Sequence, residues 1–292
     1  MALAVSCESA VPTWDHGPVN RFVELVRAEA AVVRRFDHTP GVAHCDPERE
    51  RAASHGINFV EAGAFRVRTT GAWQEVGPDA LFVTEAGMEF SCAHDDEHPT
   101  DCCLSITYSD DAVESARAFT PVDGAPVRRL TNRHAFLRRA IGDCDALDTA
   151  RLEALAGALL CSLSAAAPSR HALFKPDRLA RYAARVDRAK AMMQARHTEP
   201  LSLSALANNC GMSVFHFARI FAELEGQPPH RFLTSVRLSH ARARLLEGAS
   251  VTDTCFAVGF GSLSHFVTTF RRRYGMRPSE LTRTARSGQP NL

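Results

Sequence analysis

The densest gathering of reactive side chains in this 292-residue chain lies between Cys92 and Cys103. His94, His98, Cys102 and Cys103 fall within it, with Asp95, Asp96, Glu97 and Asp101 among them. Thiolate and imidazole are usual donors to zinc, and a vicinal thiol pair can sense oxidants. The spacing matches no zinc template, however, and Pro99 keeps His94 and His98 off one helical turn. Metal oxygenases built on small β-barrels need two histidines on alternate residues of one strand, and none of the 13 histidines has another two positions away. The segment therefore reads first as strand, loop and strand, with His94, His98, Cys102 and Cys103 as secondary metal candidates. No cofactor is expected, and the chain is not read as an enzyme. Its nine cysteines are odd in number and scattered, which fits reduced thiols in a reducing compartment.

The second chemistry on offer is that of clustered positive charge. Residues 1–176 hold 17 basic and 25 acidic residues, a net charge of −8, whereas residues 177–292 hold 17 basic and 8 acidic, a net of +9. The overall +1 hides this division. A basic third beside an acidic remainder points to a polyanion-binding module attached to something else.

Beyond Asp177 the chain reads as helices with clear stops. Ser202, Ser213, Ser250 and Ser262 stand where N-caps belong, and Gly226 and Gly275 follow helices as C-cap candidates. The segments after Ser202 and Ser250 repeat one another. Leu203, Ala207 and Gly211 correspond to Val251, Cys255 and Gly259 at an offset of 48, and Phe217, Phe221, Gly226 and Pro229 to Phe266, Phe270, Gly275 and Pro278 at an offset of 49. Each copy is a short helix with a small residue at its contact, a glycine turn, and a second helix with Phe at i and i+4. That is a helix-turn-helix, twice. Residues 229–246 between them predict a helix of about 27 Å, able to hold two recognition helices near the ~34 Å separation of successive major grooves on one face of DNA.

On these residues the chain resembles the AraC/XylS family of bacterial transcriptional regulators. The likeness runs from Val186 to Arg283 and includes LSLSALANNCGMSVFHFARIF, SVRLSHARARLL and FAVGFGSLSHFVTTFRRRYGMRPSEL. It implies double-stranded promoter DNA as a partner, activation as the commoner behaviour, and RNA polymerase, a small-molecule effector and a second copy of the chain as further partners. In the first recognition helix Phe217, Ile220, Phe221 and Leu224 follow a core-facing spacing, leaving Phe215, His216, Ala218 and Arg219 nearer the DNA. Arg219 is the foremost base reader, since a guanidinium can bond two acceptors on a guanine edge. In the second, Phe266 and Phe270 face inward, leaving Leu263, Ser264, His265, Val267 and Thr268 for the groove, with Arg271, Arg272 and Arg273 suited to phosphates. Thr268 departs from the arginine common in the family, which shifts the second unit towards backbone anchoring, and Thr254 replaces a usually apolar residue.

These elements must be positioned by the rest of the chain. From His55 to Tyr108 short apolar alternations, broken by Gly63, Gly71, Gly77, Pro78 and Gly87, predict a small β-sandwich or barrel. It resembles the cupin-like sensory domains found ahead of this DNA-binding module, with Phe59, Phe65, Trp73, Phe82 and Phe90 as core or pocket residues. After Pro126 the period becomes helical, and Leu152, Leu155, Leu159 and Leu163 form a stripe that reads as a packing face rather than a dimer seam. Pro168 and Pro176 bracket the expected linker.

The expected architecture is thus α+β: a β-rich, cupin-like regulatory domain over 1–125, a helical bridge or dimerisation segment and linker over 126–175, and an all-α double helix-turn-helix DNA-binding domain over 177–292. With 45% apolar residues, a start lacking a basic leader, and no long apolar run, a folded cytoplasmic protein without membrane association is expected. The competing reading is a metal- or thiol-dependent sensor or enzyme built on the first half.

Overall fold

A computed structural model describes residues 20–38, 48–94, 100–116, 125–145, 147–163 and 172–287, and the chain divides into two compact units between Leu173 and Phe174. The first unit opens with β1 (Asn20–Arg27), β2 (Ala31–His38) and β3 (Glu48–Arg51), all upstream of the strand pattern read from the sequence. There follow β4 (His55–Gly63), β5 (Phe65–Arg68), β6 (Gln74–Val76), β7 (Ala80–Thr84), β8 (Glu89–Ala93) and β9 (Asp101–Tyr108). A short helix α1 (Asp110–Ala116) and strand β10 (Val127–Arg129) precede α2 (Asn132–Gly142) and α3 (Thr149–Ser162). The helical period expected directly after Pro126 thus starts at Asn132, because Val127–Arg129 pairs with β7. Thr131 and His134 there close a capping box.

All strand neighbours are antiparallel. One sheet runs β1-β2-β9-β4-β7-β10 and the other β3-β8-β5-β6. Val60, Phe82 and Cys103 from the first pack against Phe65, Val67, Val76 and Phe90 from the second. On the other side of the first sheet, the Tyr108 hydroxyl donates to the Ala156 carbonyl at 3.2 Å, and Arg138 lies over the Phe59 ring while donating to the Val60 carbonyl at 3.3 Å. Covered on both faces, β7 is buried along its whole length, which is why ALFVT is a continuous apolar run rather than an alternation. Leu152, Leu159 and Leu163 are buried within this unit and Leu155 is half-buried. Of the expected linker, only residues from Ala172 onward are described. Phe65, Phe82 and Phe90 meet edge-on in the inter-sheet core, whereas half-buried Trp73 lies beneath Arg68 and Arg66.

The second unit is helical: α4 (Pro176–Ala195), α5 (Leu203–Asn209), α6 (Val214–Glu225), α7 (Pro229–Leu246), α8 (Val251–Ala257), α9 (Leu263–Tyr274) and α10 (Pro278–Ser287). Helix α4 turns Leu179, Ala183, Val186, Ala189 and Met193 inward. The chain is a mixed helix and sheet protein with its helix-turn-helix elements at the C-terminal end. Among the described residues, no helix is long and apolar enough to cross a membrane.

Candidate nucleic-acid interface

The duplication read from the sequence extends to individual hydrogen bonds. In the first turn the Met212 amide donates to the Ala207 carbonyl at 3.0 Å, and in the second the Phe260 amide donates to the Cys255 carbonyl at 3.1 Å. Gly211 and Gly259 sit between them at φ 61° and 88°, in the left-handed region that costs glycine little. Ala207 and Cys255 are fully buried at the helix crossings, where larger side chains would hold the backbones apart. The ring pairs Phe217–Phe221 and Phe266–Phe270 have centroid separations of 5.6 and 5.7 Å at interplanar angles of 58° and 59°. Gly226 and Gly275 both close their helices in left-handed conformations. Ser202, Ser250 and Ser262 cap through their hydroxyls, whereas Ser213 occupies the N-cap position without a side-chain bond.

This geometry fixes which side chains α6 can present. Phe217, Ile220, Phe221 and Leu224 are buried, as their spacing demands. Phe215, whose ring would normally seek the core, is 91% exposed, and Arg219 is exposed beside it. His216 and Ala218 are half-buried. The Arg219 guanidinium donates to His216 Nδ1 at 3.3 Å, and the His216 ring meets Tyr182 edge-on at 5.5 Å. Burial, together with the charges of Arg219, Arg185 and Arg178, holds the His216 imidazole below its ordinary pKa and so keeps Nδ1 free to accept.

On α9, Phe266, Thr269 and Phe270 are buried, Thr269 being a core residue that the aromatic spacing did not mark. Leu263, Ser264, His265, Thr268, Arg271, Arg272 and Arg273 are exposed. Val267 is half-buried and packs against the second helix-turn-helix core, so less of it is available to a groove than the helical face suggested. Thr254 is fully buried in α8, and its hydroxyl finds no hydrogen-bond partner among the described residues.

A clasp with no signature in the sequence joins the end of α4 to α7 and the second helix-turn-helix. Arg237, midway along α7, donates through Nε to the His197 carbonyl at 2.7 Å and through Nη2 to the Glu199 carbonyl at 2.8 Å. The His197 and His240 rings stack at 3.9 Å and 4°. Gly259 comes so close that a Cβ there would lie 2.8 Å from the Thr198 carbonyl oxygen and 2.9 Å from that of His197. The end of α4, the middle of α7 and the turn of the second element are therefore locked together.

The structure brings together only part of the candidate metal or thiol cluster of the first unit. His98 lies outside the described residues. His94 Nε2 and Asp101 Oδ1 are 2.7 Å apart, and the Cys103 thiol donates to Asp101 Oδ2 at 2.9 Å. Adjacent strand residues point to opposite faces, so Cys102 faces Glu61 rather than this group. Burial first, then the neighbouring Asp37 and Glu61 carboxylates, push the Cys102 thiol up to about 12; burial and Asp101 push Cys103 well above its usual value. Both are kept as thiols, the opposite of what a thiolate-based switch needs. Among the described residues, no three His, Cys, Asp or Glu side chains gather so as to hold a metal ion.

Residues 206–284 match the family model of a helix-turn-helix domain. The virulence regulon transcriptional activator VirF of Yersinia enterocolitica is 31% identical over 105 residues, which cover 35% of this chain and 39% of that protein. The HTH-type transcriptional activator RhaS of Escherichia fergusonii is 33% identical over 99 residues, covering 34% of this chain and 36% of that protein. The chain thus spans well under half the length of these curated relatives. A crystal structure of a probable AraC family transcriptional regulator from Rhodopseudomonas palustris is 30% identical, with a TM-score of 0.34, over 35% of this chain and 97% of that one. Over its C-terminal third, with the duplicated helix-turn-helix, the chain is thus similar to the helix-turn-helix domains of these transcriptional activators.

Proposed function

We propose that this protein is a sequence-specific regulator of transcription that binds double-stranded promoter DNA and acts as an activator. The observation that carries the reading is the pair of near-identical helix-turn-helix elements, each with an exposed polar or aromatic face on its second helix. Arg219 reads a guanine edge, and Phe215 packs against a thymine methyl or sugar. His216 and Ala218 border the same groove. On α9, Leu263, Ser264, His265 and Thr268 face the second groove with the exposed edge of Val267, while Arg271 and Arg272 hold phosphates. With Thr268 in place of a long cation, the first element carries more of the base reading and the second more of the anchoring.

The first unit is read as a cupin-like barrel that senses a small-molecule effector or supports a homodimer, without enzymatic activity, and the protein as cytoplasmic, with RNA polymerase as its downstream partner. Support for the barrel is the face-to-face packing of its two sheets. The metal- or thiol-dependent alternative loses ground to the protonated thiols and to the opposed faces of Cys102 and Cys103.

Genome-wide mapping of bound sites supplies the operator. On it, Arg219→Ala is expected to lower discrimination at one base pair by about 1–3 kcal/mol, with stability little changed because the side chain is exposed. Neutralising about six phosphates gives a log-log salt slope of roughly −5 for the wild type. Unchanged selectivity in the variant would remove Arg219 from base reading.

A further inference from the structure

A second basic surface lies outside both recognition helices. Arg178, Arg181, Arg185 and Arg188 recur at intervals of three, four and three along α4, which places them on one stripe of the helix, about 15 Å long. Arg178, Arg181 and Arg188 are exposed and Arg185 is half-buried. Two other cations of this segment are neutralised within the chain: Lys190 pairs with Glu225 at 2.7 Å, and Arg196 with Glu199. Among the described residues, none of the four stripe arginines is in an ion pair. Four guanidiniums crowded on one side of a helix repel one another, so leaving all four without a carboxylate is unfavourable unless an anion from outside the chain completes the surface.

The position of the stripe indicates which anion. Tyr182, one residue beyond Arg181, meets His216 at the start of α6. Arg178 and Arg185 lie close enough to that imidazole to bear on its charge. At the other end Arg188 donates to the Asn209 carbonyl at 3.4 Å, at the close of α5. The stripe therefore runs alongside the first helix-turn-helix, continuous with Arg219 and the exposed end of the recognition helix.

We propose that the α4 arginine stripe is a third DNA-contacting element, which grips the phosphate backbone bordering the groove that α6 enters. This rests on the reading of α6 as a recognition helix. Phosphate contacts carry no sequence information, so the stripe sets affinity and register while Phe215 and Arg219 set selectivity. Arginine suits the task, since its planar fork can bond two phosphate oxygens.

The test uses the full chain and two labelled duplexes, one selected by the protein from a random-sequence pool and one scrambled, titrated over a range of potassium chloride concentrations. The double variant Arg178→Ala, Arg181→Ala is expected to weaken binding to both duplexes to a similar extent and to make the log-log salt slope shallower by about 0.9 for each phosphate released. The selected-to-scrambled ratio should stay that of the wild type. Replacing the same two residues by lysine should preserve the slope, because a point charge still displaces a counterion, and this variant also controls for folding. Unchanged affinity and slope in the alanine variant would overturn the proposal. Tighter binding would also overturn it. A wild-type protein that selects no sequence would instead refute the recognition-helix reading, and the stripe would still be judged by the slope on the scrambled duplex.

Discussion

Replacing Gly259 by alanine separates two causes that usually act together. Gly211 and Gly259 hold equivalent places in the two turns, both at positive φ. A methyl group at either position meets the steric cost of a left-handed conformation, about 1–2 kcal/mol. At Gly211 nothing else lies within 4 Å of the new atom. At Gly259 the same methyl would sit 2.8 and 2.9 Å from two backbone carbonyl oxygens and 3.1 Å from Arg237 Nε. The carbonyl of His197 is itself tied down by Arg237 and cannot retreat freely. Overpacking of this kind adds a further ~1–3 kcal/mol. Gly211→Ala is therefore expected to cost about 1–2 kcal/mol and Gly259→Ala about 2–5 kcal/mol, a large share of the ~5–15 kcal/mol that stabilises a typical domain. Urea unfolding followed by the helical circular dichroism signal measures both, with the slope against denaturant checked for constancy. Equal losses in the two variants would show that the carbonyls yield and that the clasp does not constrain the turn.

The remaining predictions concern polar groups buried at a cost. Thr254→Val removes a hydroxyl without a partner among the described residues and should stabilise the second unit by ~1 kcal/mol; a loss of stability in the same unfolding assay would contradict this. Burial, reinforced by the charge of Arg133, depresses the His134 pKa from 6.5 to about 4. The unfolded chain then binds the extra proton first. The stabilisation is complete above about pH 6.5 and is lost as pH falls towards 4, a decline of about 3 kcal/mol in all. Tryptophan fluorescence reports on the first unit, which holds His134, because both tryptophans precede residue 174. Glutamine can accept from the Thr131 amide as His134 Nδ1 does, so His134→Gln should flatten the acid limb while keeping the cap; an unaltered acid limb would remove His134 as its cause.

What could be read from sequence followed from how local each signal is. The glycines and phenylalanines of the two turns lie within twenty-five residues of one another in each copy, and their spacing is set by helix geometry alone. Strand β2 has no clear local signature because consecutive Arg34 and Arg35 interrupt the alternation in AVVRRFDH, and β1 is paired only to β2. They are strands because β2 pairs along its whole length with β9, some seventy residues later. Val127–Arg129 reads as part of the following helix for the same reason: its partner β7 is remote, and nothing local opposes a helical period. The stripe on α4 has a clear periodicity, yet its meaning depends on Tyr182 meeting His216 across the fold. The Arg237 clasp left no trace, since main-chain carbonyls belong to every residue and no side-chain type marks the acceptors.

That clasp bears on how promoters must be spelled. With α4, α7 and the second turn fastened together, the distance and twist between α6 and α9 are settled when the domain folds, so less ordering is left to oppose docking. On the proposed reading, the two boxes of an operator have to keep a constant helical phase: one inserted base pair turns the distal box by about 34°. Sites should therefore tolerate base changes within a box far better than insertions or deletions between boxes.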